Sequence, residues 1–276
     1  MAAFVDHIPA LLGQSLRGFI LMAAIFVPLE LAFARARAPL LRQQLWTDLG
    51  YYFFNGIVPA LVLTAILGLA VKLIAPLYAS GFYAWIGLIP IPIKFGLAIV
   101  VGDIGAYWGH RWSHELPFLW TFHKIHHEAE HIDWLVTSRA HPIDMIFLKL
   151  CGVMAIYLCG FAQGSIGQGT ALMSIYVLVA GLWAFFVHAN VSWRFGVLEK
   201  YVATPAFHHW HHANESRETI DKNYAAIFPF IDRIWGTYFL PSNRWPASCG
   251  LRLPEDANPA NQACEQREFC QHRNAK

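Results

Sequence analysis

The chain has 276 residues, of which 56% are hydrophobic, 15% aromatic and only 14% charged, with a mean hydropathy of +0.39. Soluble globular chains carry about 45–50% apolar and about 25% charged residues, so this composition excludes both a disordered chain and an ordinary water-soluble domain, and it points to a membrane protein. Twenty Lys and Arg against eighteen Asp and Glu leave a formal charge of +2, too small and too scattered for a nucleic-acid partner.

A transmembrane helix takes about 20 predominantly apolar residues, and suitable stretches lie near residues 16–34, 50–75, 91–109, 145–163 and 168–188. The first fifteen residues hold no Lys or Arg, so nothing there reads as a cleaved signal peptide. Between the second and third spans, Gly81 to Pro92 is interrupted by Pro90 and Pro92 and reads as interfacial or re-entrant, with Tyr83 and Trp85 at headgroup level. The linker at 163–169 is short and leaves almost nothing protruding on its side of the membrane. Arg35, Arg37 and Arg42 follow the first span, and Arg111, Lys124 and Arg139 follow the third. The excess of basic residues in these loops places both in the cytoplasm. With the N-terminus outside and five passes, the C-terminal part is cytoplasmic as well. Three regions result: membrane spans over 1–92, a histidine-bearing region over 93–240, and a polar tail over 241–276. The five cysteines have no CxxC spacing and read as free thiols. Cys264, Cys270 and His272 in the tail form a weak metal candidate.

Histidine is the anomaly. Of fourteen, seven lie from His110 to His141 and five from His188 to His212. His110 and His114 stand four apart at the end of the third span, so both imidazoles share one helical face. Alone, such a pair also fits two interfacial histidines. His123, His126 and His127 then place three imidazoles within one turn, and His208, His211 and His212 repeat that spacing, with His209 off the shared face. Eight histidines exceed what one tetrahedral zinc can use, so two metals are the economical reading, each with positions left open for chemistry. His188, at the end of the fifth span, lies at the depth where the boxes meet and is a ninth candidate. Imidazole suits zinc, copper, nickel and iron alike, so ligand type leaves the metal open.

The three boxes in this order, together with Ala140-His141-Pro142, Asn223-Tyr224 and the run from Asp232 to Thr237, resemble the sterol desaturase and fatty acid hydroxylase superfamily over roughly residues 95–240. The resemblance implies an all-α integral membrane bundle of four to five spans, with a cytoplasmic helical cap carrying a dimetal site. It implies two iron ions held by His110, His114, His123, His126, His127, His208, His211 and His212, with His188 as the isolated histidine before the last box. His141 becomes a further ligand or a residue behind the ligands. At His209 the family more usually has arginine or another polar residue.

Metal-bound imidazoles generally need a partner on the other ring nitrogen, often a carboxylate. The candidates are Glu115, Asp133, Asp144, Asp221 and Asp232. Asp103 is an acid within an apolar span, seven residues before His110, and such acids are usually functional. Trp108, Trp120, Phe185 and Phe186 are candidates to line an apolar substrate path.

Two rivals come from the same residues. His127-Glu128-Ala129-Glu130-His131 satisfies the HExxH pattern of a zinc metalloprotease, although it leaves two complete boxes unexplained. A metal or haem carrier would also use histidine pairs. The resemblance favours an oxidoreductase that hydroxylates or desaturates a lipid with dioxygen. No dinucleotide fingerprint or fused cofactor domain is present, so its electrons would come from a separate ferredoxin, cytochrome or reductase.

Overall fold

The computed structural model describes residues 2–251, apart from residues 38, 40, 80, 163–167, 217 and 243. Among these residues the fold is helical, with two isolated bridges, Ala34 to Val191 and Ala213 to Cys249, and no strand. Five long helices form the bundle: α1 (Ala2–Phe33), α2 (Leu45–Ile74), α4 (Ile91–Glu115), α6 (Pro142–Leu158) and α7 (Gln168–His188). A short α3 (Gly81–Leu88) lies between α2 and α4. The cap consists of α5 (Pro117–His127), α8 (Pro205–His211), α9 (Pro229–Ile234) and 3-10 turns at Trp134–Ser138 and Gly196–Lys200.

Proline sets several of these starts. Helices α4, α5, α6, α8 and α9 all carry Pro at their first or second position, where its missing N–H costs nothing and its fixed φ suits the helix. The His141 ring nitrogen accepts from the Ile143 N–H to cap α6, and the Thr204 hydroxyl accepts from the Phe207 N–H to cap α8.

Among the described residues, four helices are long and apolar enough to cross a bilayer: Pro9–Phe33 in α1, α2, α4, and Ala171–His188 in α7. The fifth expected span is α6, which has 17 residues and is about 25 Å long. Its direction is nevertheless fixed, because it begins at His141 beside the boxes and ends against the far side. There the Tyr78 and Tyr83 hydroxyls donate to the Tyr157 and Leu158 carbonyls, which also puts α3 at the end remote from the histidines. The expected third span is longer than its apolar stretch. Helix α4 runs on to Glu115 and carries the first histidine box past the apolar stretch on the same helix.

Close approach of α4 and α6 depends on small residues. A Cβ on Gly105 would overlap the Cys151 carbonyl, and one on Gly109 would lie 2.8 Å from Cys151 Cβ. At the opposite face, Phe26, Trp134 and Phe185 stack α1 and α7 against the Trp134–Ser138 turn. The Glu30 carboxylate accepts from the Trp134 and Asn190 amides. Below this, Arg42 bridges Asp48 and Asp133, and Arg139 bonds Asp48. The site-proximal ends of α1 and α2 are thereby tied to the segment that follows the second box.

The sequence 241–276 reads as a tail, but its described part packs on the cap. The Trp210 indole donates to the Arg244 carbonyl and the Asn214 amide to the Ser248 carbonyl. Cys151, Cys159 and Cys249 are free thiols. Cys264, Cys270, His272 and most of the linker at 163–169 lie outside the described residues.

Candidate metal centre

The histidines converge where α4, α5, α7 and α8 meet, and they do so in two groups. His110, His114, His123, His127 and His211 form one, and His126, His188, His208 and His212 form the other. Within each group one ring nitrogen from every member lies within 4.8 Å of all the others. The spacing explains the partition. In α5, His123 and His127 are one turn apart and face the α4 pair, while His126 is rotated toward the end of α7. In α8, His211 joins the first group, and His208 and His212, again four apart, join His126 and His188.

Four inward-facing nitrogens of the first group have no hydrogen-bond partner among the described residues. Nε2 of His110, His123, His127 and His211 is buried without a hydrogen bond among the described residues. In the second group Nε2 of His188 lies 3.1 Å from Nε2 of His126 and 2.9 Å from Nε2 of His208. Buried polar atoms are rarely left in this condition without a reason, and lone pairs that point at each other at this distance are the donor set a cation needs. Two divalent ions of the imidazole-preferring kind fit these residues.

Outward-facing nitrogens are held in place. His123 Nδ1 lies 3.0 Å from Asp144 and His114 Nδ1 lies 3.1 Å from Asp221. The other partners are main-chain carbonyls: Tyr224 for His110, Lys222 for His211, Arg139 for His126 and Ala184 for His188. Each such contact makes Nδ1 the protonated nitrogen and leaves Nε2 as the donor to a metal. Outside the spans, burial first and neighbouring imidazoles second hold His126, His127, His208, His211 and His212 well below the ordinary histidine range. They are therefore neutral at pH 7, as ligation requires.

Of the carboxylates considered from the sequence, Asp144 and Asp221 reach imidazoles directly. Glu115 does not: it pairs with Arg111 on the outer face of α4. Asp133 bonds Arg42 and caps the Trp134–Ser138 turn. Asp103 and Asp232 act on the backbone. Asp232 accepts from the Tyr224 and Ala225 amides, and Asp103 from those of Ala226, Ile227 and Phe228. Five consecutive N–H groups are thus held by two buried acids, which fixes the Tyr224 carbonyl against His110.

His141 lies outside both groups, capping α6 with its ring 4.8 Å from that of Phe122. His209 is buried behind α8, within 3.3 Å of the His188 carbonyl and beside Arg35. Burial and the nearby guanidinium push it down to about 3. Of the four aromatic candidates, Trp120 touches the imidazoles, 5.2 Å from His114, while Trp108 packs edge-to-face on Trp235 and Phe185 packs in the α1–α7 seam. Tyr224 was not singled out for contact, yet its ring covers His110, His114 and His211. The HExxH pattern is not realised as a pair. Helix α5 ends at His127, Glu128 is exposed, and His131 lines a polar surface cavity with Arg35 and Asn190.

A sequence model of the family described as "Fatty acid hydroxylase" matches residues 95–237. An ornithine lipid hydroxylase of Rhizobium tropici is 29% identical over 177 residues, 63% of this chain and 50% of that protein. The alkylglycerol monooxygenase of Homo sapiens is 31% identical over 136 residues, 49% of this chain and 28% of that protein. A Delta(7)-sterol 5(6)-desaturase of Gibberella zeae is 27% identical over 164 residues, 58% of this chain and 44% of that protein. The chain thus spans half or less of the length of these relatives. No solved structure matches it.

Proposed function

The chain belongs to the fatty acid hydroxylase family, and from that premise we propose that it is a membrane-bound di-iron oxygenase that hydroxylates or desaturates a lipid. The observation that carries this reading is the convergence of nine imidazoles in two groups at one end of an apolar helical bundle. The relatives named above act on an ornithine lipid, an alkylglycerol and a sterol, which supports an amphipathic or apolar lipid as the substrate class. The region 93–240 is the catalytic unit, and the basic loops after α1 and α4 support a cytoplasmic position for it.

When bound, two irons supply the centre at which dioxygen and electrons from an external ferredoxin, cytochrome or reductase oxidise an unactivated C–H bond. The protein's part is binding, orientation and exclusion of water. His110, His114, His123, His127 and His211 hold one ion, and His126, His188, His208 and His212 hold the other. Asp144, Asp221 and four carbonyls keep protons on the Nδ1 atoms. Tyr224 and Trp120 cover the first group with ring surface and keep bulk water from it.

The test is metal analysis and Mössbauer spectroscopy of iron-57 protein, with lipid product and dioxygen uptake measured together. About two exchange-coupled irons per chain are expected, about one in His126→Ala and in His211→Ala, and product in proportion to oxygen consumed. Full activity in both variants, or activity that depends on Glu128 and His131 with one bound zinc, overturns the reading.

A further inference from the structure

The 3-10 turn Gly196–Lys200, between α7 and the third histidine box, is inside out for a water-facing segment. Its acid is buried: Glu199 is 3% exposed, paired with Arg194 and accepting from the Phe195 amide. Its apolar side chains face outward, with Val197 67%, Leu198 60% and Tyr201 59% exposed. Helix α9 touches this turn and adds Ile234, 66% exposed. A turn solvated by water would carry the opposite pattern, since apolar area is stabilised by leaving water and a carboxylate by staying in it.

The level of this rim in the bundle supplies its surroundings. The segment leading into α9 is tied to Asp103 through the amides of Ala226, Ile227 and Phe228. Asp103 lies 12 residues into α4, about 18 Å from its start, whereas a hydrocarbon core of about 30 Å occupies about 20 residues. Counted from the start of α4, the segment attaches about 12 Å short of the length that spans such a core, level with the upper part of the apolar run of α4. Phe228 and Trp235 pack on Ile104, Tyr107 and Trp108 at that level. Lys200 and Arg233, both exposed, stand beside the rim on stems long enough to reach headgroup phosphates.

We propose that Val197, Leu198, Tyr201 and Ile234 form a lipid-embedded rim that seats the cap in the leaflet on the histidine side. The occupant of this surface is the acyl and headgroup boundary of the bilayer.

Full-length protein in phosphatidylcholine nanodiscs doped with an acyl-diazirine phosphatidylcholine is irradiated and digested with trypsin. The peptide Phe195–Lys200 is expected to carry lipid adducts at least about tenfold above Glu218–Lys222, a polar and largely half-buried peptide beside His114 and His211, a contrast set by immersion of one and not the other. Leu198→Glu, at an exposed position, is expected to retain the melting temperature in detergent and lose most adducts on its peptide. Adducts at the level of Glu218–Lys222 overturn the proposal. No bound metal is needed, so this failure is separate from failure of the oxygenase reading.

Discussion

Replacing Asp144 by Ala tests how the first group is held. The carboxylate is buried at 3% exposure, with Oδ2 3.0 Å from His123 Nδ1 and Oδ1 accepting from the Ser113 hydroxyl at 3.3 Å. Truncation leaves two buried donors without acceptors, at about 1–3 kcal/mol each. It also frees His123 to rotate or to take the other tautomer, and loss of such a partner generally weakens metal binding by about 10–100-fold, equivalent to about 1.4–2.8 kcal/mol. The second group, whose His126 and His188 are oriented by carbonyls, should be spared. Anaerobic titration with Co(II), followed by its ligand-field absorption, is expected to show one binding step weakened by that factor and the other within about twofold, a change too small to reflect a lost hydrogen bond. Asp144→Asn retains an acceptor without charge and should fall between. Two unchanged binding steps in Asp144→Ala would refute the claim that this carboxylate fixes the ligand.

Three further outcomes follow from the same coordinates. Asp103→Ala strands the amides of Ala226, Ile227 and Phe228, at about 1–3 kcal/mol for each buried donor left unmade; hydrogen exchange at 224–228 should rise markedly, and unchanged protection would contradict the anchoring role. Gly105→Ala forces a methyl into the Cys151 carbonyl and the Ala155 side chain, an overpacking that typically costs about 1–3 kcal/mol, so the melting temperature in detergent should fall; an unaltered value would show that α4 and α6 can separate freely. The metal-free protein should lose stability below pH 6.5. His126, His127, His208, His211 and His212 are held below the ordinary range, so the unfolded chain takes up protons there that the folded one refuses, each worth up to about 1.4 kcal/mol per pH unit. Melting temperatures measured between pH 7.5 and 5 should fall steeply without metal, and a flat profile would oppose neutral, buried imidazoles.

Helix positions were legible because long apolar runs leave few alternatives once backbone groups must be satisfied without water. The stretch at 168–188 coincides with α7, and the proline-broken stretch after Gly81 became the short α3. What misled was the assumption that a span ends where apolarity ends. Hydropathy stops near residue 109, but the hydrogen-bond ladder of α4 continues to Glu115, since nothing in His110 to Glu115 breaks a helix. The reverse applies to α6. Its apolar pattern continues into residues 159–162, yet the helix stops at Leu158 with Gly160 in the left-handed region, φ 78°, a conformation that glycine adopts at helix ends.

The histidine spacing carried the two imidazole groups because i, i+3 and i+4 fix which side chains share a face. It could not say that His126 and His127, adjacent in sequence, serve different groups; that division depends on α5 turning His123 and His127 to the α4 pair and His126 to His188 at the end of α7. The partners behind the imidazoles were less legible still, for a physical reason. A carboxylate can be guessed from its type, and Asp144 and Asp221 were among the guesses. Four of the orienting acceptors are main-chain carbonyls, at Arg139, Ala184, Lys222 and Tyr224, and a carbonyl is present at every residue. What selects these four is the local backbone path. Asp221 and Asn223, on either side of Lys222, both have positive φ, at 57° and 60°, in the left-handed region that Asn and Asp enter more readily than other side chains. The Asn223 side chain fastens that turn by donating to the Phe207 and Phe239 carbonyls and accepting from the Phe239 amide. A sequence reader sees Asp221-Lys222-Asn223 as a polar loop. Its chemical content is that two left-handed residues and two buried acids aim the intervening carbonyls at His211 and His110, so the loop orients the histidines without containing one.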